Sequence, residues 1–218
     1  MEDPGKAGKG RRGSALRRTS EIPGEDYLWC LEGELPPYAL RHLEEAFAGD
    51  EQAAAALCFA APNEHRGYIA AAAYGLGVPN PAYQTIIRQI WNHDHQQLLW
   101  AVDRDADLVR RMMADAEFRH PFSGPVTVYR GVEHGDFRKA SRGLSWTVSR
   151  DVACWFAHDL PNSLVLVGKV SSADIVFWDN SRNEEEVVFR SPIRASIDLE
   201  RSTWAEAADR HLRKIRIA

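Results

Sequence analysis

The sequence has few cysteines, and their spacing excludes two common ways of stabilising a small domain. The three cysteines, Cys30, Cys58 and Cys154, are an odd number and form no CxxC pair. This argues against a disulfide framework and against a structural zinc site, which need several suitably spaced thiols. A reducing, cytosolic environment is the simplest expectation. The tryptophans next to Cys30 and Cys154 predict buried, unreactive thiols at these two positions.

Long apolar runs are also missing. No run approaches the roughly 18 residues that a membrane span requires, and the N-terminal segment lacks the apolar core of a secretory signal. We therefore expect no transmembrane segment and a cytoplasmic protein. The net charge of −4 gives the whole molecule no strong attraction to nucleic acid or to anionic membranes.

Several catalytic signatures do not occur. The chain has no GxGxxG or P-loop spacing and no serine-elbow or Cys–His nucleophile pattern. His93-Asp94-His95 contains two imidazoles, but on a helix residues i and i+2 point to different sides. Because no further ligand is near in the sequence, we expect no metal site.

The patterning divides the chain into three parts. Residues 1–22 carry six basic and two acidic residues before position 19 and are rich in glycine, which predicts a disordered basic arm. The arm is either an electrostatic tether to nucleic acid or a solubilising tail. Residues 23–120 are expected to be a helical N-terminal region of four or five segments from Pro36 onwards, continuous from Leu98 to Met113.

The third part, residues 121–218, is predicted to be rich in β-strands. The β-branched and aromatic runs predict strands, and Ser149 is expected to cap a short helix. A C-terminal helix is predicted over 203–213, followed by a last strand at Ile215 and Ile217. The fold class is therefore α+β. The predicted strands are 126–132, 164–170, 175–178 and 187–189.

An arginine follows two valines on the first of these strands. Side chains alternate along a strand, so Val126, Val128 and Arg130 share one face. A guanidinium drawn towards the core is costly unless an anion meets it, and a phosphate fits its planar fork. Gly131 has no side chain, so a ligand could approach the backbone closely at this position. The alternative is a structural arginine paired with an internal carboxylate.

Two hydroxyls flank a tryptophan in the next segment. Ser145 and Thr147 lie on one face of an extended stretch, and Trp146 lies on the other. The hydroxyls can bind a sugar or a neighbouring carboxylate, and the indole would anchor the segment in the core. The alternative is an edge strand whose polar residues face water.

Three glutamates lead directly into a buried strand. Glu184 and Glu186 point the same way if the strand begins there, and Glu185 points the opposite way. Two carboxylates on one face repel, so either one titrates high or both need a cationic partner. Glu186 could stabilise an oxocarbenium-like ribose, and Glu184 could deprotonate an incoming nucleophile. The alternative is a solvated acidic turn.

In this order and context, the three segments resemble the Arg–Ser–Glu class of mono-ADP-ribosyltransferases, which carry an ExE motif and include bacterial toxins and effectors. The resemblance covers about residues 124–195 and has Ser-Trp-Thr where Ser-Thr-Ser is usual. It implies a compact split β-sandwich core, with the helical region packing on that core. The matching segments are Tyr129-Arg130-Gly131, Leu144-Ser145-Trp146-Thr147 with Ala153-Cys154-Trp155-Phe156-Ala157, and Glu184-Glu185-Glu186-Val187-Val188.

The resemblance also implies roles for the residues. Arg130 would hold the NAD phosphates, with Tyr129, Gly131, Trp146 and Thr147 beside it in the site. Ser145 would hydrogen-bond near the nicotinamide ribose and steady Glu186. Glu186 would bind the ribose 2′-hydroxyl, and Glu184 would handle the acceptor. Phe177 and Trp178 lie where the family's target-recognition loop lies, and a buried Trp178 would instead be core.

The implied activity is transfer of ADP-ribose from NAD, as co-substrate and without a metal, to a macromolecule. Glutamate at position 184 accompanies arginine acceptors in the family, so a protein arginine is the expected target. Such units act as toxins or effectors in the cytoplasm of the producing or of a target cell, and a neutralising immunity or antitoxin protein is then implied. The alternatives are an NAD glycohydrolase, a nucleic-acid-modifying transferase and a binding module without turnover.

Overall fold

The computed structural model describes residues 24–133, 135–158 and 160–217. These residues form nine α-helices and a six-stranded antiparallel sheet, which confirms the predicted α+β class. The predicted basic arm, residues 1–22, lies outside the described residues. The tertiary contacts divide the chain into two compact units, with the boundary between Arg104 and Asp105.

The described part of the first unit is helical, as predicted. Helix α2 begins at Pro37, and the Asp50 carboxylate caps α3 by accepting a hydrogen bond from the Ala53 amide at 2.8 Å. Helix α1 was not predicted, because it buries only Gly24 and Leu31 and so has no apolar stripe. The helices are α1 (Gly24–Glu34), α2 (Pro37–Phe47), α3 (Glu51–Ala60), α4 (Asn63–Gly75) and α5 (Ala82–Ala101).

Alanines allow close packing in this unit. The four alanines 70–73 of α4 and the α5 residues Ile86, Ile87 and Ile90 are all fully buried. The predicted continuous helix from Leu98 to Met113 is wrong, because residues 103 and 104 have positive φ angles of 51° and 61° that end it.

The second unit contains the sheet. The four predicted strands are present; one further strand was missed, and one prediction about the end of the chain needs correction. The three-residue strand β6 is largely exposed and was not foreseen, and Ile215 lies in α9 rather than in a last strand. The elements are α6 (Ala106–Asp115), β1 (Pro125–Val132), α7 (Phe137–Ser141), β2 (Trp146–Thr147), α8 (Arg150–Ala157), β3 (Leu164–Ser171), β4 (Ile175–Asp179), β5 (Glu186–Phe189), β6 (Ala195–Ile197) and α9 (Trp204–Ile217).

The strand order is β4-β5-β2-β1-β3-β6, and all neighbours are antiparallel. Strand β1 pairs with β3 along its whole length but with β2 only at Tyr129↔Thr147. Strand β2 pairs with β5 at Trp146↔Val187 and Thr147↔Glu186. The three chemistry-bearing segments therefore lie on three neighbouring strands.

The sheet has a core on each face. One face packs Val128, Trp146, Leu166, Val187 and Phe189 together. On the other face, Tyr129 packs against a cluster that α8, α9 and Val165 of β3 supply, formed by Ala153, Cys154, Ala157, Val165, Trp204 and Ala207.

The cysteines differ in burial. Cys154 and Cys58 are buried, and burial raises the pKa of Cys58 to about 12 and the pKa of Cys154 to about 11, so both thiols stay protonated at neutral pH. Cys30 is exposed, contrary to the sequence-based expectation. None of the described helices is both long and apolar enough to cross a membrane.

Candidate functional site

Arg130 lies on the face of β1 that carries Val128, as the alternation of side chains predicted. Its Nη1 donates a hydrogen bond to the Ser145 carbonyl oxygen, and its buried Nε has no hydrogen-bond partner among the described residues. Burial is the main influence on the Arg130 guanidinium and lowers its pKa, Glu186 raises that pKa, and Arg110 lowers it further. The site thus holds a poorly solvated cation.

A glycine makes room for this cation. A Cβ placed on Gly143 would lie 2.6 Å from both Nε and Nη2 of Arg130, closer than a side chain tolerates. The Gly143 carbonyl accepts hydrogen bonds from the Trp146 indole at 3.0 Å and from Nη2 of Arg110 at 3.3 Å. The backbone beside Arg130 is therefore fixed from two sides.

Arg110 is a second buried cation of the same unit, and its part in the site was not foreseen. Only 2% of it is exposed, and its Nη1 donates to the Phe189 carbonyl at 2.8 Å. Its Nη2 reaches the carbonyl oxygens of Arg142 and Gly143. In the sequence, an arginine in the middle of a polar helix is typical of a solvated surface, so no local signal distinguished it.

The segment around β2 combines an exposed serine with two buried residues. Ser145 is exposed and contacts Arg130 through its backbone, which leaves the role of its hydroxyl a prediction. Trp146 is 2% exposed and anchors the segment in the core, as expected. The Thr147 hydroxyl donates to the Glu184 carbonyl at 2.7 Å and accepts from the Ser149 amide at 3.0 Å. Thr147 thus ties β2 to the glutamate segment.

The two outer glutamates of the triplet share one cation. Glu186 begins β5 and is 5% exposed. Nη2 of Arg182 lies 2.7 Å from Oε2 of Glu184 and 3.2 Å from Oε2 of Glu186. Burial raises the pKa of Glu184; Arg182 opposes this shift and Glu186 adds to it. The pair therefore has the expected cationic partner, and the raised pKa of Glu184 comes mainly from burial, with a smaller contribution from Glu186.

Arg182 was not singled out in the sequence. The signal that could have found it is its position two and four residues before the glutamates, across a tight turn. Asn183 and Glu185 have positive φ angles of 57° and 48°, and the Glu185 amide donates to Oδ1 of Asn180 at 3.1 Å. This geometry turns the chain back so that the guanidinium meets both carboxylates.

Arg130 and Glu186 begin on opposite faces of the sheet. Directly paired residues share a face, so the pairs Tyr129↔Thr147 and Thr147↔Glu186 place these three side chains on one side. Arg130 starts from the other side and reaches the chain just before β2, at Ser145. Glu186 is nevertheless close enough to raise the pKa of Arg130.

Gly131 has a structural use that the sequence did not indicate. A Cβ placed on it would clash with the carbonyl oxygen of Ala153 and lie 2.8 Å from Cβ of Phe156. The space beside this glycine is therefore taken by α8 and not by a ligand. Tyr129, next to it, packs against the same helix layer.

The two aromatic residues assigned to target recognition have packing contacts. Phe177 is fully buried, and its ring meets Phe118 edge to face with 5.0 Å between centroids. Trp178 is partly buried, belongs to β4 and meets Phe122 edge to face at 6.2 Å. Phe177 is therefore a core residue rather than an exposed recognition residue. Trp178 is partly buried and packs against the core.

Other candidate sites gather none of these residues. An open cavity in the second unit is lined by Glu133, Trp155, Phe156, His158 and Leu160. No group of three or more His, Cys, Asp or Glu side chains able to hold a metal ion occurs in the part of the chain that the structure describes.

The His93-Asp94-His95 segment belongs to the first unit. Asp94 interrupts the helical geometry of α5 with φ −142°, and its carboxylate accepts a hydrogen bond from Nη1 of Arg66 at 2.5 Å. The acidic member of this segment is thus engaged in an ion pair.

Comparison with known proteins identifies no family. No protein-family model, curated protein or solved structure matches the chain. The resemblance to mono-ADP-ribosyltransferases therefore depends on the three segments and on where the strands place them.

Proposed function

We propose that the chain is an NAD-dependent mono-ADP-ribosyltransferase of the Arg–Ser–Glu class, with a split β-sandwich core and an arginine side chain as acceptor. One observation carries the proposal. The poorly solvated Arg130 on β1 and Glu186 on β5 flank the short strand β2, and Glu186 raises the pKa of Arg130. Glu184, just before β5, shares the cation Arg182 with Glu186 and has a raised pKa. Buried groups of opposite charge with shifted pKa values are typical of reactive sites.

Arg130 is the proposed partner of the NAD diphosphate. The free energy lost when a guanidinium is buried is recovered when a phosphate accepts its hydrogen bonds. Gly143 and the carbonyl of Ser145 hold the guanidinium in one orientation. An anion that arrives at this point therefore meets a cation that is already positioned.

Glu186 is the proposed catalytic carboxylate. It binds the ribose 2′-hydroxyl and stabilises the positive charge that develops on the ribose while the glycosidic bond to nicotinamide breaks. Nicotinamide leaves with the bonding electron pair. The exposed hydroxyl of Ser145 is available to bind the same ribose.

Glu184 is the proposed base for the acceptor. The guanidine nitrogen of the acceptor bonds to the ribose carbon, and its proton passes to Glu184. A raised pKa brings a carboxylate closer to the pH at which it acts as a base. We assign no ligand contact to Gly131 or Phe177, because both are used for packing.

The test uses the full chain with labelled NAD and measures nicotinamide release and transfer of label to protein or RNA. The wild type is expected to release nicotinamide and to label protein arginine. Glu186→Gln is expected to lose turnover by about 10²–10³-fold, the typical cost of one transition-state contact, while circular dichroism shows an intact fold. Glu185→Gln makes the same chemical change one residue away and is expected to keep activity.

Each other outcome identifies an alternative. Release of nicotinamide without transfer indicates a glycohydrolase, and label on RNA indicates a nucleic-acid acceptor. Neither release nor NAD binding indicates a binding module. Glu186→Gln activity within a few-fold of wild type would contradict the catalytic assignment.

A further inference from the structure

One arginine of the chain already occupies the position that the proposed reaction gives to an acceptor. Nη2 of Arg182 contacts the carboxylate of Glu184, the proposed base, at 2.7 Å. The same nitrogen contacts Glu186, the proposed partner of the ribose, at 3.2 Å. A nitrogen that attacks the ribose carbon must lie between these two groups.

The turn that carries Arg182 is held by its own hydrogen bonds. Oδ2 of Asp179 accepts from the amide and the hydroxyl of Ser181 at 2.8 and 2.5 Å, and Oδ1 of Asn180 accepts from the Glu185 amide. With 39% of its side chain exposed, Arg182 is open to a bound dinucleotide. The guanidinium is therefore presented to the carboxylates by a defined backbone.

Two further guanidiniums of the second unit, those of Arg110 and Arg130, have different environments. Arg110 is almost fully buried and bound to carbonyl oxygens of Phe189, Arg142 and Gly143. Arg130 is bound to the Ser145 carbonyl. Neither has its guanidinium hydrogen-bonded to the glutamate pair as Arg182 has.

We propose that Arg182 is a built-in acceptor: it competes with external arginines for the carboxylate pair and takes ADP-ribose within the same chain. This inference rests on the proposed function. In the step, the bond between ribose and nicotinamide breaks and nicotinamide leaves with its electron pair. A nitrogen of Arg182 bonds to the ribose carbon, and its proton passes to Glu184.

Modification would limit further transfer. ADP-ribose on Arg182 adds two phosphates and a large group beside Glu184 and Glu186, where the charges repel. The modified chain is then expected to cleave NAD and to modify external arginine more slowly than the unmodified chain.

The experiment maps the label on the full chain after incubation with labelled NAD, by mass spectrometry of its peptides. The expected result is label on Arg182, at a rate per molecule that does not depend on protein concentration. Arg182→Lys keeps the charge but removes the guanidine, and it is expected to lose this label at least tenfold. Its transfer to agmatine, a free guanidine acceptor, is expected to rise at low agmatine concentration. Arg190→Lys, a change at an exposed arginine at the end of β5, is the matched control and should label as the wild type does.

Two results would overturn the inference, and they are distinguishable. Nicotinamide release and agmatine labelling without label on wild-type Arg182 would contradict the inference and leave the proposed function standing. No nicotinamide release from the wild type would contradict both. Mapping on the wild type keeps the test decisive even if Arg182→Lys fails to fold.

Discussion

Glu184 and Glu186 lie two residues apart and are expected to have different catalytic roles. Glu184 is the less buried of the two, and its pKa is raised mainly by burial. Glu184→Gln is expected to keep NAD hydrolysis and to lose transfer to arginine, because only the acceptor needs this base. Parallel assays of nicotinamide release and agmatine labelling measure the two activities. Equal loss of both would remove the acceptor role.

The same group predicts a pH dependence. Since the pKa of Glu184 lies above its ordinary value of 4.5, its basic form becomes the major form only above that pH. The ratio of transfer to hydrolysis in the wild type should therefore rise with pH above 4.5 and then level off. In Glu184→Gln the ratio should stay low and flat. For stability the sign is the reverse: because the pKa of Glu184 is raised in the folded state, the protonated carboxyl contributes stability at low pH, and this stability is lost as pH rises through the raised pKa.

Gly143 is expected to act as a positioning residue for Arg130. A methyl group at this position would displace the guanidinium and so weaken the hydrogen bonds that we propose it makes to the NAD phosphates. Gly143→Ala should raise the KM for NAD about 10- to 100-fold, the cost of one or two charged hydrogen bonds, with a smaller change in kcat. Gly33→Ala, where a Cβ meets nothing within 4 Å, is the matched control. An unchanged KM would show that Arg130 needs no such space.

Single residues were predictable where a local pattern decides their position. The period of two on β1 correctly placed Arg130 with Val128, and the tryptophan in Ser-Trp-Thr was correctly expected in the core. The contacts of Gly143 with Arg130 and of Arg110 with Gly143 were not predictable, because they join residues more than ten positions apart in the chain. Arg182 was missed although it is local, since a turn with two left-handed residues is needed to bring it back to the acids.

Helix α8 lies very close to β1 beside Gly131. Gly131 lets the helix backbone lie directly on the strand, and an added Cβ would meet the Ala153 carbonyl and Cβ of Phe156. Gly131→Ala is therefore expected to cost about 1–3 kcal/mol in unfolding free energy. At about 2–4 °C per kcal/mol for a chain of this size, thermal unfolding should detect the change.

Gly33→Ala also serves as the control here, because it lies in helix α1 without a neighbouring atom and is expected to stabilise slightly. If Gly131→Ala melts with the wild type, the close approach of α8 does not constrain the strand. A loss of NAD turnover without loss of stability would instead restore the ligand-facing role that the sequence suggested for Gly131.

Strands with many buried apolar side chains were predicted from the sequence, and elements with few were missed. Strands β1, β3, β4 and β5, which carry most of the apolar side chains of the sheet, follow the β-branched runs. The weakly apolar α1 and the exposed β6 follow no such pattern, and they were missed. At the end of the chain, α9 continues through Ile215 because nothing between 213 and 217 breaks a helix.

The division of the whole molecule follows packing rather than composition. The change from helical to β-type sequence near residue 120 suggested a boundary there, whereas the compact units divide between Arg104 and Asp105. The difference is mainly α6, whose Arg110 binds the carbonyl of Phe189 on β5. All residues of the proposed site lie in the second unit.

The most direct measurement of the central claim is a crystal structure of the full chain as Glu186→Gln with NAD bound, since slow turnover keeps the dinucleotide intact. We expect phosphate oxygens within hydrogen-bond distance of the Arg130 guanidinium, at about 2.7–2.9 Å, and the nicotinamide ribose next to residue 186. NAD bound away from Arg130, or NAD phosphates that contact another cation, would contradict the central claim.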